Sequence, residues 1–177
     1  ILILETQESA LRRGIVPQVQ LCAYGSSADA HHMTAPHPDG LGLERAINYA
    51  LDRADISTDD IAFVNAHGTS TRDNDKVEGK LLGKLFGSDC KLFSTKGFTG
   101  HTLGAAGGIE AGFTALMLQP GMLPQSVGFN NQDPEIPVTP LTQNTPFTGS
   151  FALSTSLAFG GQNATLIFRK VKMDGDL

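Results

Sequence analysis

The stretch "CKLFSTKGFTGHTLGAAGG", Cys90 to Gly108, contains the features that decide the fold. Its first part predicts a buried strand, and its last part opens a helix that we expect to run from Leu103 to Gln119. Lys96 and His101 lie between the two. The glycines and alanines that open the helix are poor helix formers but permit close backbone approach. A strand, a loop with ionisable groups and a helix, in that order, are typical of the α/β class.

The same alternation of short apolar runs and amphipathic stretches continues along the chain. Strands are predicted at residues 1–5, 16–25, 61–65, 90–96, 151–156 and 163–171. Helices are predicted at 43–54 and from a cap at Asp73 or Asn74 to a stop at Gly87. No linker or repeat interrupts the pattern, so we expect residues 1–177 to form one domain.

Composition excludes several classes of protein. The chain has 177 residues, of which 40% are hydrophobic and 18% charged, as in a soluble packed domain. Its net charge is −5 and its 13 Lys and Arg are scattered, which argues against a nucleic-acid partner. No apolar run approaches the roughly 20 residues of a membrane span, and residues 1–4 are too short for a signal peptide. We therefore expect a cytoplasmic protein, with Cys22 and Cys90 as free thiols.

Two strand ends carry the candidate chemistry. In an open α/β sheet, ligands gather at the carboxyl ends of strands, so "NAHGTST" (65–71) and "STKGFTGH" (94–101) should face one crevice. That would bring His67, Lys96 and His101 together. Neutral imidazoles can donate hydrogen bonds to an oxygen that becomes negative, and a lysine cation disfavours their protonation. The pattern suits an oxyanion or enolate, although each histidine could instead satisfy a buried polar group.

Other ionisable clusters are less informative. Asp75, Glu78 and Glu110 fall in the first turns of helices, where carboxylates also stabilise the helix dipole. Taken alone, they are expected to be solvated acids at helix starts.

A metal site is not expected. His31, His32 and His37 cluster with Asp29, but their spacing matches no zinc motif. The glycines from 97 to 108 do not form a phosphate loop either, because no Gly-Lys-Ser/Thr closes the run.

Four stretches together resemble the C-terminal half of β-ketoacyl-acyl-carrier-protein synthases, the elongating condensing enzymes of bacterial fatty-acid synthesis. They are "DAHHMTAP" (29–36), "VNAHGTSTRDNDKVE" (64–78), "STKGFTGHTLGAAGGIEA" (94–111) and "LAFGGQNATLIF" (157–168). The resemblance implies an α/β fold that is half of a thiolase-like protein, with a five-stranded mixed sheet and helices packed on both faces. The small-residue helix would then be a packing surface for the other half.

The resemblance also implies roles for individual residues. His67 and His101 would bind the malonyl thioester oxygen and stabilise the enolate formed as carbon dioxide leaves. Lys96 would support the second histidine and its acidic neighbour electrostatically. The acids of the supporting network would be Asp75, Glu78 and Glu110.

Two further groups are implied. Thr69 and Thr71 would hydrogen-bond the phosphopantetheine arm of the substrate. Phe159 would contribute its backbone N–H to an oxyanion hole while its ring gates the acyl pocket, and Gly160 and Gly161 would let that loop move.

The implied activity is a 3-oxoacyl-acyl-carrier-protein synthase, an acyltransferase that needs no cofactor because the carrier protein brings the phosphopantetheine. The complete enzyme would be a homodimer whose nucleophilic cysteine lies in the N-terminal half. Neither Cys22 nor Cys90 sits in the nucleophile motif, and the chain begins with Ile. We therefore expect a piece of a longer protein that is inactive alone and needs its N-terminal half.

Departures from the family pattern lie near the end. Thr155, Leu157, Ala158 and Gln162 stand where Asn, Phe, Gly and Thr are usual, so the acyl substrate is expected to be unusual. Two alternatives stay open. The chain could belong to a non-catalytic partner, such as a chain-length-controlling subunit, or it could be a module that pairs with a separately made half.

Overall fold

The computed structural model describes residues 1–171. The strands are β1 (Val19–Ala28), β2 (Ile61–Asn65), β3 (Leu92–Phe93), β4 (Met122–Leu123), β5 (Thr145–Pro146), β6 (Phe151–Ala158) and β7 (Gln162–Lys170). The helices are α1 (Gln7–Arg12), α2 (Leu41–Ala54), α3 (Arg72–Phe86), α4 (Lys96–Thr99) and α5 (Ala106–Met117). Short 3₁₀ turns occur at Thr58–Asp60 and Leu103–Ala105.

The main sheet has five strands in the order β1-β7-β6-β2-β3. β6, β2 and β3 run parallel to one another, whereas β7 is antiparallel to both β6 and β1. β4 and β5 form a separate antiparallel pair. The predicted five-stranded mixed sheet is therefore confirmed.

Successive strand residues point to opposite sides of the sheet, and apolar side chains occur on both sides. Helices therefore pack on both faces. Phe63 and Ala152 lie in one apolar core. It also contains Ala111 of α5 and Leu118, which directly follows that helix. The neighbouring residues Val64 and Leu153 join a second core, which is closed by apolar residues of α2 and α3. Two buried layers therefore fix the positions of the strand ends that carry the candidate site.

The predicted strand at residues 1–5 is wrong. This segment has no regular structure, and its apolar side chains are exposed, with Ile3 at 92%. A run of apolar residues forms a strand only where backbone groups find a ladder partner, and residues 1–171 offer none here. The connection that follows instead contains α1, whose cap Thr6 accepts a hydrogen bond from the Ser9 N–H at 3.2 Å.

β1 is shifted from the predicted 16–25 to Val19–Ala28, and three boundaries near the candidate site also differ from prediction. α3 begins after Thr71, so neither Asp73 nor Asn74 is its cap. The strand predicted at 90–96 is reduced to β3, because Lys96 already begins the one-turn helix α4. The helix predicted from Leu103 opens as a 3₁₀ turn before α5 begins at Ala106, which is consistent with its glycine-rich start.

The small-residue start of α5 faces mostly outward. A Cβ at Gly107 would lie 3.2 Å from Ser156 Oγ, but at Gly104 and Gly108 it would meet nothing within 4 Å. Leu103 beside them is 77% exposed. The expected packing partner of this surface therefore stays a prediction. Within residues 1–171, no helix is both long and apolar enough to cross a membrane.

Candidate active site

The ends of β2 and β3 bring the predicted loops together. The two strands are parallel neighbours, with Asn65 opposite Phe93. His67 lies two residues beyond β2, and Lys96 lies three beyond β3. α4 then returns the chain so that the rings of His101 and His67 lie 5.4 Å apart, centroid to centroid, at an interplanar angle of 89°. His67, Lys96 and His101 thus meet at one edge of the sheet.

Hydrogen bonds define the tautomers of both histidines. The Lys96 ammonium donates to His67 Nδ1 at 3.1 Å. The Leu103 backbone N–H donates to His101 Nδ1, also at 3.1 Å. A ring nitrogen that accepts carries no proton, so each neutral imidazole holds its proton on Nε2. Both histidines therefore have an Nε2–H donor to offer a ligand.

Electrostatics keep His67 neutral. Its side chain and backbone are only 5% exposed. Burial, then the Lys96 charge, then His101 lower the pKa of His67 from 6.5 to about 3. The expected effect of the lysine is therefore present, but it falls on His67. The Lys96 ammonium hydrogen-bonds the first histidine, His67, and its expected electrostatic support of the second histidine, His101, stays a prediction.

Lys96 also forms an ion pair with Glu110, and both side chains are almost completely buried. Burial raises the pKa of Glu110, and the hydrogen bond and charge of Lys96 offset part of that effect. One Glu110 oxygen, Oε2, is buried and has no hydrogen-bond partner among residues 1–171. Glu110 is thus a buried partner of Lys96, where the sequence alone suggests a solvated acid.

Glu78 is also buried, at 2% exposure. Its carboxylate accepts hydrogen bonds from the backbone N–H groups of His67 and Gly68, both at 2.9 Å. The Thr155 hydroxyl donates to it at 2.6 Å and the Asn74 amide at 3.3 Å. Glu78 therefore fixes the main chain that carries His67.

The loop around His67 can be this tight only because Gly68 has no side chain. Its φ is +47°, and a Cβ there would lie 2.6 Å from Ser94 Cβ. The Ser94 hydroxyl donates to the Gly68 carbonyl at 3.3 Å. The two strand-end loops are thus in direct contact.

Asp75 lies further out on α3. Its Oδ1 accepts from the Ser70 N–H and the Asn74 amide, both at 3.2 Å, and burial raises its pKa. Thr69 and Thr71 have their hydroxyl oxygens 2.8 Å apart. Asp75 and both threonines line an open cavity of about 830 Å³, which Lys96 and His101 also border.

The predicted gate lies apart from this cavity. Phe159 occupies the turn between β6 and β7 and is 77% exposed. Gly160 and Gly161 follow with φ of +83° and +73°. The Gly160 N–H donates to the Met33 carbonyl at 2.7 Å, which ties the turn to the histidine-rich loop. None of these three turn residues lines the 830 Å³ cavity.

Neither cysteine has the lowered pKa that is typical of a reactive thiol. Cys22 lies in β1 and Cys90 just before β3, and both are free thiols. Burial raises the pKa of Cys22 and raises that of Cys90 to about 12. A thiol needs a lowered pKa to react as thiolate at neutral pH. Among residues 1–171, no group of three or more His, Cys, Asp or Glu is placed to hold a metal.

Sequence reasoning missed three residues of the network: Ser94, Asn74 and Thr155. Ser94 immediately precedes the loop with Lys96, and its position at a strand end is a signal in the sequence. The sequence indicates Asn74 only as a helix cap. It marks Thr155 only as a departure from the family pattern, because nothing local reveals that this residue reaches Glu78, 77 residues away.

Comparisons with known proteins agree with this fold. Residues 19–130 match the family model described as "Beta-ketoacyl synthase, C-terminal domain". The chain is 41% identical over 175 residues to 3-oxoacyl-[acyl-carrier-protein] synthase 2 of Staphylococcus aureus (strain COL), covering 96% of this chain and 42% of that protein. It thus spans about two-fifths of that relative's length.

Two solved structures are also similar. A ketosynthase in complex with its chain length factor from Xenorhabdus doucetiae has a TM-score of 0.80 and 41% identity, covering 88% of this chain and 40% of that one. A complex of a type II polyketide acyl-carrier protein with its hexaketide-bound ketosynthase has a TM-score of 0.89 and 30% identity, covering 95% and 42%. The fold is therefore that of the thiolase-like ketosynthases. The chain belongs to the β-ketoacyl synthase family, and the matching part is that family's C-terminal domain.

Proposed function

We propose that this chain supplies the malonyl site of a 3-oxoacyl-acyl-carrier-protein synthase. The observation that carries the proposal is the contact between His67 and His101, each with its proton on Nε2, beside the buried Lys96–Glu110 pair. Two neutral donors suit an oxygen that gains negative charge during reaction.

The reaction would be a decarboxylative Claisen condensation. The bond between the malonyl carboxylate and its Cα breaks, carbon dioxide leaves, and the electron pair forms an enolate whose oxygen accepts hydrogen bonds from His67 and His101. The enolate Cα then attacks the carbonyl of an acyl group that is held as a thioester on the enzyme cysteine. A carbon–carbon bond forms, the carbon–sulfur bond breaks, and the cysteine thiolate leaves. The product is a 3-oxoacyl thioester on the carrier protein, for fatty-acid or related polyketide synthesis.

The supporting residues would hold this geometry. Burial and the Lys96 charge together keep His67 neutral, because a second positive charge beside the ammonium is unfavourable. Lys96 also forms the ion pair with Glu110. Glu78 holds the His67 main chain, and Asp75 orders the loop that leads into α3.

Substrate binding would use the cavity and the turn. Thr69 and Thr71 line the cavity and would hydrogen-bond a phosphopantetheine arm. Phe159 would contribute its N–H to an oxyanion hole and gate the acyl pocket, with Gly160 and Gly161 as the hinge.

The nucleophile would come from outside the present sequence, because burial raises the pKa values of both Cys22 and Cys90. An N-terminal half with the cysteine is therefore a proposed partner, together with the acyl carrier protein. The complete enzyme would be a cytoplasmic homodimer without a bound cofactor, and this chain alone would not condense.

The test is formation of 3-oxoacyl product from malonyl-carrier protein and a panel of acyl thioesters by the intact natural protein. His67→Ala or His101→Ala should abolish the product, whereas Lys80→Ala, at an exposed position of α3, should not. Product formation that persists in both histidine variants would overturn the assignment of the site.

A chain-length-controlling subunit is the second candidate. The observation that favours it is the likeness to a complex of a ketosynthase with its chain length factor. Such a subunit would be inert in the assay and would change the product length of a separate active ketosynthase. If the well-folded intact protein is inert towards the whole panel but shifts the partner's product length, this second candidate replaces the first.

A further inference from the structure

Thr155 on β6 connects three elements of the buried site. It is fully buried, and its hydroxyl donates to Glu78 Oε1 at 2.6 Å. The same hydroxyl oxygen accepts a hydrogen bond from the His67 backbone N–H at 3.1 Å. Thr155 thus joins β6 to α3, which carries Glu78, and to the loop that carries His67.

The hydroxyl completes the surroundings of the Glu78 carboxylate. The other donors to that carboxylate are two backbone N–H groups of the His67 loop and the Asn74 amide of α3 itself. Carboxylate oxygens that are buried need hydrogen-bond donors in place of the water they lose on folding. Thr155 supplies the shortest of these bonds and is the donor that comes from the sheet.

We propose that Thr155 is a positioning residue for the condensation, in that its hydroxyl fixes Glu78 and, through Glu78, the main chain that orients His67. This inference rests on the proposed function. A displaced His67 main chain would move the imidazole away from Lys96 Nζ and from the His101 ring. Misplacement of a reacting group by about 1 Å can cost on the order of 100-fold in rate.

The geometry also bears on why Thr155 stands where Asn is usual in the family. An effect on the acyl substrate would require Thr155 to face the substrate. Instead both hydrogen bonds of its hydroxyl are used within the buried network. Thr155 therefore acts on the chemistry at His67.

The chain offers a matched control in Thr165. It lies on β7 directly opposite Thr155 in the strand register and is equally buried. Its hydroxyl, however, has no hydrogen-bond partner in the described part of the chain. Replacing either threonine by valine keeps the volume and removes a buried hydroxyl, but only one change breaks the contact with Glu78.

The experiment compares Thr155→Val, Thr155→Ser and Thr165→Val in the intact natural protein. The measurements are kcat and KM for decarboxylation of malonyl-carrier protein, with the folded fraction from circular dichroism. We expect Thr155→Val to lower kcat by about 10- to 100-fold with KM changed by less than about 2-fold, because the loss lies in orientation and not in binding. Thr155→Ser should keep kcat within about 3-fold, and Thr165→Val should match the wild type.

Three outcomes would overturn the inference while leaving the proposed function in place. One is a kcat of Thr155→Val within about 2-fold of wild type, and another is an equal loss in Thr165→Val. If Thr155→Val does not fold, Thr155→Cys replaces it, since a thiol is a weaker donor of similar size. Full activity of that cysteine variant would be the third outcome that overturns the inference. A wild type without decarboxylation activity would instead overturn the proposed function, and this inference with it.

Discussion

His67 and Phe159 follow neighbouring parallel strands of one sheet, β2 and β6, yet their surroundings are opposite. His67 is 5% exposed and is held through its backbone N–H and its ring. Phe159 is 77% exposed, in a turn whose next two residues have positive φ. The buried site therefore has one defined arrangement, whereas the turn is held mainly by backbone contacts to the loop around Met33.

This contrast assigns different physical tasks to the two regions. A group that stabilises developing charge acts best when its donors are already oriented before reaction. A gate must instead change position at low cost, so few side-chain contacts are an advantage. Substitutions in the buried site should therefore affect stability and chemistry together, whereas substitutions in the turn should change one of the two without the other.

The largest effect is expected at Lys96. Lys96→Met leaves Glu110 buried without its cation, which should lower the free energy of unfolding by about 3–5 kcal/mol. Lys80→Met, at an exposed position of α3, is the control and should change it by less than about 0.5 kcal/mol. Urea unfolding of the intact natural protein measures both.

A double variant sharpens this test. Adding Glu110→Gln to Lys96→Met removes the uncompensated carboxylate and should recover most of the lost stability but none of the activity. An equal loss in the single and double variants would show that the pair is not coupled as described.

The next largest effect is expected from acid, which should lower the free energy of unfolding through His67. The pKa of His67 is lowered to about 3 from 6.5, so the unfolded chain takes up the proton first. The stability that neutral His67 contributes is complete above about pH 6.5 and is lost as pH falls towards about 3. Between about pH 7 and about pH 4 the free energy of unfolding should fall by about 3 kcal/mol from this cause, at about 1.4 kcal/mol per pKa unit.

His67→Gln isolates this contribution. Glu110, whose pKa is raised by burial, acts in the opposite sense in both proteins, because its contribution is present at low pH and is lost as pH rises. The wild type should therefore lose more stability on acidification than the glutamine variant. Identical pH dependence in the two proteins would argue against a neutral buried His67.

A third, smaller effect is expected in the turn. Gly161 has a φ of +73°, and a Cβ there would lie 3.0 Å from Asp29 Cβ. Gly161→Ala should cost about 1–2 kcal/mol from the left-handed backbone alone. Gly160→Ala has a similar φ but meets no neighbour within 4 Å, so it should cost less than Gly161→Ala. The reverse order in thermal unfolding would contradict this description of the turn.

The smallest stability effect is expected at Phe159. Because the ring is exposed, Phe159→Ala should change the free energy of unfolding by less than about 0.5 kcal/mol. If the ring gates the acyl pocket, condensation should still fall several-fold and most steeply for long acyl chains. Unchanged rates for every chain length would remove Phe159 from the proposed gate.

The sequence predicted the elements whose signals are local. β2, α2 and the Gly87 end of α3 follow from apolar periodicity and capping, and the meeting of His67 with Lys96 follows from parallel strand ends. The strand expected at residues 1–5 failed because apolar composition does not supply a ladder partner. The burial of Glu78 and Glu110, and the link from Thr155 to Glu78, depend on contacts across distant parts of the chain.

The central claim is that His67 and His101 together stabilise the enolate formed from the malonyl thioester. Release of carbon dioxide from malonyl-carrier protein, measured without an acyl acceptor in the intact natural protein, tests it most directly. We expect His67→Ala and His101→Ala each to lower this rate by at least about 100-fold, as removal of one oxyanion donor does elsewhere, and the double variant to be little slower than either single one. Decarboxylation at the wild-type rate in either single variant would contradict the account.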